Sequence, residues 1–233
     1  MSFRFKQFAV SQSRAAMKVG TDGVLLGAWT RVGESDRRIL DIGTGTGVIA
    51  LMMAQRSVNA RITAVEIDPP SAADARDNAA ASPWGDRVEV VVCDIADYNP
   101  GERYDLILTN PPYFSESLLP PDRSRAAARH TDSLSFGTLA DSAHRLLGDD
   151  GRLALILPTE GALRFRAEAV ERGLYPQRMT EVWSTPRSGA IRLLAEYGRQ
   201  PLPSPPVPDR IVIDDGGFTA EYRALTKDFY LKF

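Results

Sequence analysis

The chain is poor in the residues that support secreted, membrane-bound and metal-dependent proteins. It has a single cysteine, Cys93, in 233 residues, which excludes an internal disulfide, and Cys93 has no His or Cys partner at metal-ligand spacing. Lying in the apolar run 87–93, it is expected to be a core thiol, and no metal site is predicted. The two histidines include His130, which has no Asp or Ser constellation beside it, so catalysis by that ring is not expected. The start lacks a basic, apolar signal peptide and no apolar run is long enough to span a bilayer, so a cytoplasmic protein without membrane contact is expected. Excess positive charge is also missing: 28 Lys and Arg against 30 Asp and Glu leave a net charge of −2, which does not advertise a nucleic-acid binder.

What is present is an alternation of apolar strands and longer helical runs, the pattern of a parallel sheet covered on both faces. Strands are predicted at 38–42, 61–66, 87–93, 104–108 and 152–157, with a closing antiparallel hairpin at 178–184 and 190–197. Helices are predicted at 21–30, 48–55, 70–81, 134–147 and 160–172, the last stopped by Gly173. The expected fold class is α/β, a doubly wound Rossmann-like seven-stranded sheet. One domain is expected, with 1–30 as a lid segment packed on a core of 31–200 and 201–233 as an appendage. Within that appendage the Pro-rich stretch 201–208 reads as a semi-rigid linker; residues 211–213 with Phe229, Tyr230 and Phe233 are expected to pack back on the sheet. Residues 118–130, rich in Pro and Arg without long apolar periodicity, read as a mobile substrate loop.

Two motifs carry chemistry. In the first, Arg38-Ile39-Leu40-Asp41-Ile42 runs into Gly43-Thr44-Gly45-Thr46-Gly47 and then an apolar helix. Glycine allows a ligand to approach the backbone closely. The next strand ends in Glu66, about 20 residues past the glycines, the spacing that sets an acid on a ribose hydroxyl pair. A dinucleotide oxidoreductase would want G-x-G-x-x-G and a helix N-terminus open to pyrophosphate. Here Asp41 precedes the glycines, which suits a sulfonium cofactor carrying an ammonium group, so S-adenosylmethionine fits better than NAD. Asp94, after the third strand, is a candidate for the adenine amino group, helped by the Ile95 backbone; alternatively it caps a short turn.

The second motif is Asn110-Pro111-Pro112-Tyr113, at the exit of the apolar run 104–108. The prolines fix φ and withhold two amide donors, so the chain leaves the sheet as a stiff turn. Methylating a planar amino nitrogen needs acceptors that hold its hydrogens and aim it at an electrophile. The Asn110 side-chain oxygen and the Pro111 carbonyl would be those acceptors. Tyr113 would stack on the group bearing the nitrogen, with Pro112 and Phe114 beside it.

In this order and spacing, residues 41–47, Glu66, Asp94 and Asn110-Pro111-Pro112-Tyr113 resemble the class I S-adenosylmethionine-dependent amino methyltransferases. The opening Phe3-Arg4-Phe5-Lys6-Gln7-Phe8, the stretch Met17-Lys18-Val19-Gly20-Thr21-Asp22-Gly23-Val24-Leu25-Leu26-Gly27-Ala28-Trp29 and the closing 227–232 are similar to the bacterial tRNA(Val) (adenine-37-N6)-methyltransferases, which modify the adenosine beside the anticodon. The resemblance implies N6-methylation of a flipped tRNA adenine by direct in-line transfer. It also implies Lys18 or Thr21 as a partner for the cofactor carboxylate.

A tRNA partner asks for phosphate-binding surfaces. Candidates are the basic residues of the first twenty (Arg4, Lys6, Arg14, Lys18) and the loop residues Arg123, Arg125 and Arg129. The alternation of Phe3 and Phe5 with Arg4 and Lys6 serves RNA contact or anchoring of the N-terminus equally well. Competing readings are a protein glutamine methyltransferase, another nucleic-acid amino methyltransferase, a nicotinamide oxidoreductase and a non-catalytic cofactor- or RNA-binding module. The oligomeric state is left open.

Overall fold

The computed structural model describes residues 2–112 and 134–233. Tyr113, Phe114, Arg123, Arg125, Arg129 and His130, with the whole expected substrate loop 118–130, lie outside the described residues.

A two-stranded ribbon, β1 (Ser2–Arg4) and β2 (Ala9–Ser11), opens the chain and is followed by α1 (Thr21–Trp29). The core then runs β3 (Arg38–Ile42), α2 (Val48–Arg56), β4 (Arg61–Glu66), α3 (Pro69–Ala80), β5 (Val88–Val92) and β6 (Tyr104–Thr109). After α4 (Phe136–Leu146) come β7 (Leu147–Pro158), α5 (Thr159–Glu171), β8 (Tyr175–Trp183), β9 (Ala190–Gly198), β10 (Asp209–Val212) and α6 (Ala220–Thr226).

The central strands are apolar on successive positions because both faces of a parallel sheet are covered. Ile39 on β3 and Leu106 on β6 join the cluster built with α1 and α2, whereas Leu40 and Ile107 join the one built with α4 and α5. α1 is buried on nearly every side, from Gly23 to Trp29, and approaches α2 through its backbone: a Cβ on Gly27 would come within 2.6 Å of Met52 Sδ. Trp29 then reaches the far half of the sheet, its Nε1 donating to Thr180 Oγ1 at 2.9 Å.

Sheet order is β10-β8-β9-β7-β6-β3-β4-β5. Strands β5, β4, β3, β6 and β7 are parallel, and the winding reverses between β3 and β6, which makes their carboxyl ends the switch point where open α/β sheets bind ligands. β9 lies antiparallel between β7 and β8, the expected closing hairpin. Among the described residues the sheet has one strand more than the seven expected: β10 pairs parallel with β8, Ile211 opposite Val182. The Pro-rich segment returns the chain to the open edge of β8, where the backbone of 209–212 satisfies groups that water would otherwise take.

β5 forms the opposite edge and is partly exposed along its length. Cys93, one residue past its end, is therefore half-buried and not the core thiol expected. At the N-terminus the aromatic residues anchor. Phe5 stacks on Phe8 and Tyr230 at centroid distances of 4.6 and 6.2 Å. Lys6 Nζ donates to the carbonyls of Lys227 (2.6 Å) and Phe233 (2.5 Å), tying the first and last segments together.

Candidate active site

At the switch point Ile42 and Thr109 are register partners, and Thr109 Oγ1 donates to the Ile42 carbonyl at 3.0 Å. The glycine turn after β3 and Asn110 after β6 therefore leave the sheet side by side. Asn110 is half-buried, Pro111 buried and Pro112 exposed.

Gly43, Gly45 and Gly47 have φ of +68°, +54° and +81°, values that side chains with a Cβ resist. Their reasons differ. Among the described residues a Cβ at Gly43 or Gly45 would meet nothing within 4 Å, whereas one at Gly47 would sit 3.3 Å from the Ala75 Cβ. The first two face open space that a ligand can enter, and the third lets α3 pack on the turn.

Glu66 fastens the turn from the next strand: Oε2 accepts from Gly45 N at 2.8 Å and Oε1 from Asp68 N at 2.9 Å. Each oxygen keeps a further lone pair for a hydroxyl donor. Asp41 lies beneath the turn, fully buried. Its Oδ2 accepts from Thr44 Oγ1 (2.5 Å) and Ala50 N (3.1 Å), while Oδ1 has no partner among the described residues. Burial pushes this carboxyl up to about 7, the Thr44 and Ala50 hydrogen bonds oppose the rise, and the nearby Glu66 charge adds to it. An orphaned buried oxygen of raised pKa is a place where added positive charge is favourable.

Asp94 is exposed, and its Oδ1 accepts from Ala96 N at 2.9 Å, so its turn-capping role is present in the structure. The Ile95 side chain is buried in the core under α4, and Cys93 N donates to the Glu66 carbonyl at 3.1 Å, which holds the ends of β4 and β5 together. Lys18 Nζ donates to the carbonyls of Gln12 (2.6 Å) and Ala15 (3.0 Å). Thr21 is exposed at the first turn of α1.

The sequence reading missed a clamp on α3. Asp74, fully buried, accepts from the backbone N–H groups of Arg14 and Ala15, both at 2.8 Å, and from Arg14 Nε at 2.7 Å. Burial alone would raise its pKa, but these hydrogen bonds and the guanidinium charge hold it below the usual carboxylate range. Asn78 bonds both the N–H and the carbonyl of Ser11 (2.7 and 2.8 Å) and donates to the Thr46 carbonyl at 2.9 Å. One helix face thus fixes residues 11–15 beside the glycine turn. The available signal was a polar pair at i, i+4 on the buried face of an otherwise alanine-lined helix. Arg14, whose guanidinium also pairs with Asp77, is held by this clamp, so of the four N-terminal cations Lys6, Arg14 and Lys18 all serve the fold.

Among the described residues no group of three or more His, Cys, Asp or Glu could hold a metal ion, and no helix is long and apolar enough to cross a membrane.

Residues 13–160 match the model of the methyltransferase small domain. A tRNA1(Val) (adenine(37)-N6)-methyltransferase of Phocaeicola vulgatus is 48% identical over 236 residues, covering 98% of this chain and 97% of the relative. This chain belongs to the family of that enzyme. Another member, from Trichodesmium erythraeum, is 47% identical over 99% of the chain and 98% of its own length. Among solved structures, a predicted O-methyltransferase from Agrobacterium tumefaciens shares the fold with a TM-score of 0.65 at 21% identity, covering 89% of this chain and 96% of that one. A glycopeptide N-methyltransferase crystallised with S-adenosylmethionine aligns with a TM-score of 0.53 at 16% identity over 78% of this chain and 89% of that one. Family membership and the glycine turn agree on the cofactor. The open space at Gly43 and Gly45, the Glu66 carboxylate and the unpartnered Asp41 oxygen fit S-adenosylmethionine.

Proposed function

We propose that the protein transfers a methyl group from S-adenosylmethionine to N6 of adenosine 37 in tRNA1(Val), the reaction named for its near-full-length relatives. The observation that carries the reading is the pairing of Ile42 with Thr109, which brings the Asn110-Pro111-Pro112 exit beside the glycine turn at Gly43 and Gly45.

The roles divide among the strand ends. Glu66 would hold the ribose hydroxyls, the Asp94 region with the Ile95 backbone would hold the adenine, and Thr21 or Lys18 would lie toward the methionine carboxylate. Lys18 has one ammonium hydrogen left for this, since two meet the carbonyls of Gln12 and Ala15. When bound, the cofactor supplies an electrophilic methyl carbon on a sulfonium that is its own leaving group. Asn110 Oδ1 and the Pro111 carbonyl would accept the two hydrogens of the target amine, which aims the nitrogen and lets its proton pass to water after transfer. Tyr113 would stack on the extruded base, with Pro112 and Phe114 beside it. Arg123, Arg125 and Arg129 would meet backbone phosphate. The place of action is the cytoplasm, where unmodified tRNA is found.

The test is transfer from labelled S-adenosylmethionine to total unmodified tRNA, followed by nucleoside digestion. N6-methyladenosine in the digest is the expected product. Label in a protein glutamine, and none in tRNA, would move the substrate to the rival amino methyltransferase.

A further inference from the structure

An opening of about 630 Å³ lies away from the glycine turn, where β1, α1, the ends of the β8–β9 hairpin and the C-terminal segment meet. Its walls are aromatic: Phe3, Phe218, Tyr222, Tyr230 and Phe233 all line it. Phe218 stacks on Tyr222 at 5.2 Å and meets Phe233 edge-on at 5.1 Å, which presents a fixed ring surface. Three large apolar side chains that remain exposed, Ile191 (36%), Phe218 (45%) and Leu231 (61%), border this same opening. Clustered exposure of this kind marks a binding surface, whereas scattered exposure does not.

The rim is cationic. Arg4, Arg192 and Lys232 border the cavity beside one carboxylate side chain, Asp22, and that carboxylate is paired with Arg192 Nε at 2.7 Å. Aromatic rings under a positive rim are the combination that takes single-stranded nucleic acid, the bases stacking and the phosphates meeting the cations. A volume of this size holds a nucleoside. Its place on the sheet also fits. Thr109 pairs with Leu155, and Pro158, three residues further along β7, pairs with Arg192. Arg192 therefore lies two strands across from the Asn110 exit, roughly 10 Å, and a similar distance beyond it toward the carboxyl end. An unstacked RNA strand covers that span in a few nucleotides.

We propose that this aromatic cavity receives an unstacked base of the anticodon loop close to the methylated adenosine, with Arg4, Arg192 and Lys232 meeting the adjoining phosphates. The inference rests on the tRNA substrate reading above and adds a second point of RNA contact to it. Extruding one base from a loop unstacks its neighbours, and the cavity gives one of them a surface. Thr21, on its lining, is shared with the proposed cofactor site; Phe218 and Lys232 are not part of that site.

The experiment compares steady-state methylation of an unmodified tRNA1(Val) transcript by the wild-type enzyme, Phe218→Ala, Phe218→Trp and Lys232→Ala. Phe218→Ala should raise the tRNA KM about 10-fold, as expected for loss of one base–aromatic stack, with kcat and S-adenosylmethionine affinity unchanged. Phe218→Trp should restore the wild-type KM, and Lys232→Ala should raise KM and flatten its salt dependence. A wild-type KM in Phe218→Ala overturns the proposal while leaving the substrate reading intact. So does a raised KM accompanied by a lower melting temperature and weaker cofactor binding, because the ring would then serve only the fold. No methylation of tRNA by the wild-type enzyme would defeat the substrate reading, and the cavity assignment with it.

Discussion

Asp41 should make cofactor affinity depend on pH in the neutral range. In the free protein burial pushes its carboxyl up to about 7 from 3.8, against the hydrogen bonds from Thr44 and Ala50 and with a further contribution from the Glu66 charge. A sulfonium cofactor with an ammonium group brings positive charge to the turn above it, which favours the ionised form. Binding then requires loss of the Asp41 proton. At pH 6 only about one molecule in eleven is ionised and at pH 8 about ten in eleven, so affinity should rise about 10-fold between those values. Isothermal titration in buffers of different ionisation enthalpy would read both the affinity and the released proton. Asp41→Asn should bind more weakly at pH 8 and show no slope. The same group sets a stability profile of definite sign. A folded-state pKa raised to about 7 from 3.8 means that the folded state is favoured below about pH 4 and loses that advantage as pH rises through 7, by up to about 4 kcal/mol. The melting temperature of the cofactor-free wild type should therefore fall relative to Asp41→Asn as pH goes from 6 to 8. A flat wild-type affinity profile, or an equal slope in Asp41→Asn, would refute the reasoning.

Three further substitutions separate contact with the cofactor from support of the turn. Gly45→Ala places a Cβ in the open space over the turn at φ +54°; titration should show S-adenosylmethionine affinity reduced at least about 10-fold, with a stability loss of about 1 kcal/mol from the left-handed backbone. Glu66→Gln keeps one acceptor, for Gly45 N or for Asp68 N but not both, and removes the charge that strengthens hydrogen bonds to ribose hydroxyls; equilibrium dialysis should show a loss of about 10-fold or more. Asn78→Ala removes three hydrogen bonds joining Ser11 and Thr46, which should lower stability in urea denaturation by about 2–3 kcal/mol and loosen residues 11–15 to proteolysis.

The parts legible in the sequence are those set by neighbours along the chain. The glycine turn is fixed by local backbone need at Gly43, Gly45 and Gly47, and the start of α3 by Asp68, which accepts from Ser71 N, and by Pro69 and Pro70. Strands β3, β4 and β6 announce themselves because two-sided burial leaves them little but apolar residues. What escaped depends on partners far away in sequence. Asp74 and Asn78 read as ordinary polar residues until residues 11–15 are folded against them. Asp41, expected to reach the cofactor, lies closed beneath Thr44, a placement that spacing cannot distinguish from an exposed one. Residues 211–213 were expected to pack back on the sheet, but not the pairing of 209–212 as a strand, because the open edge of β8 that it completes lies beyond a Pro-rich connection. Lys6 and Arg14, counted as phosphate contacts, are instead engaged by Lys227, Phe233 and Asp74.

Methylation of a tRNA1(Val) transcript carrying adenosine at position 37, compared with the same transcript carrying guanosine there and with Asn110→Ala enzyme on the first, tests the function most directly. The expected result is one N6-methyladenosine per tRNA for the wild-type pair, none for the guanosine transcript, and a rate lowered at least about 100-fold by Asn110→Ala, the usual effect of removing a group that orients the reacting atom, with cofactor affinity little changed. Equal incorporation into the two transcripts, or full activity in Asn110→Ala, would contradict the assignment of adenosine 37 or of the Asn110 turn.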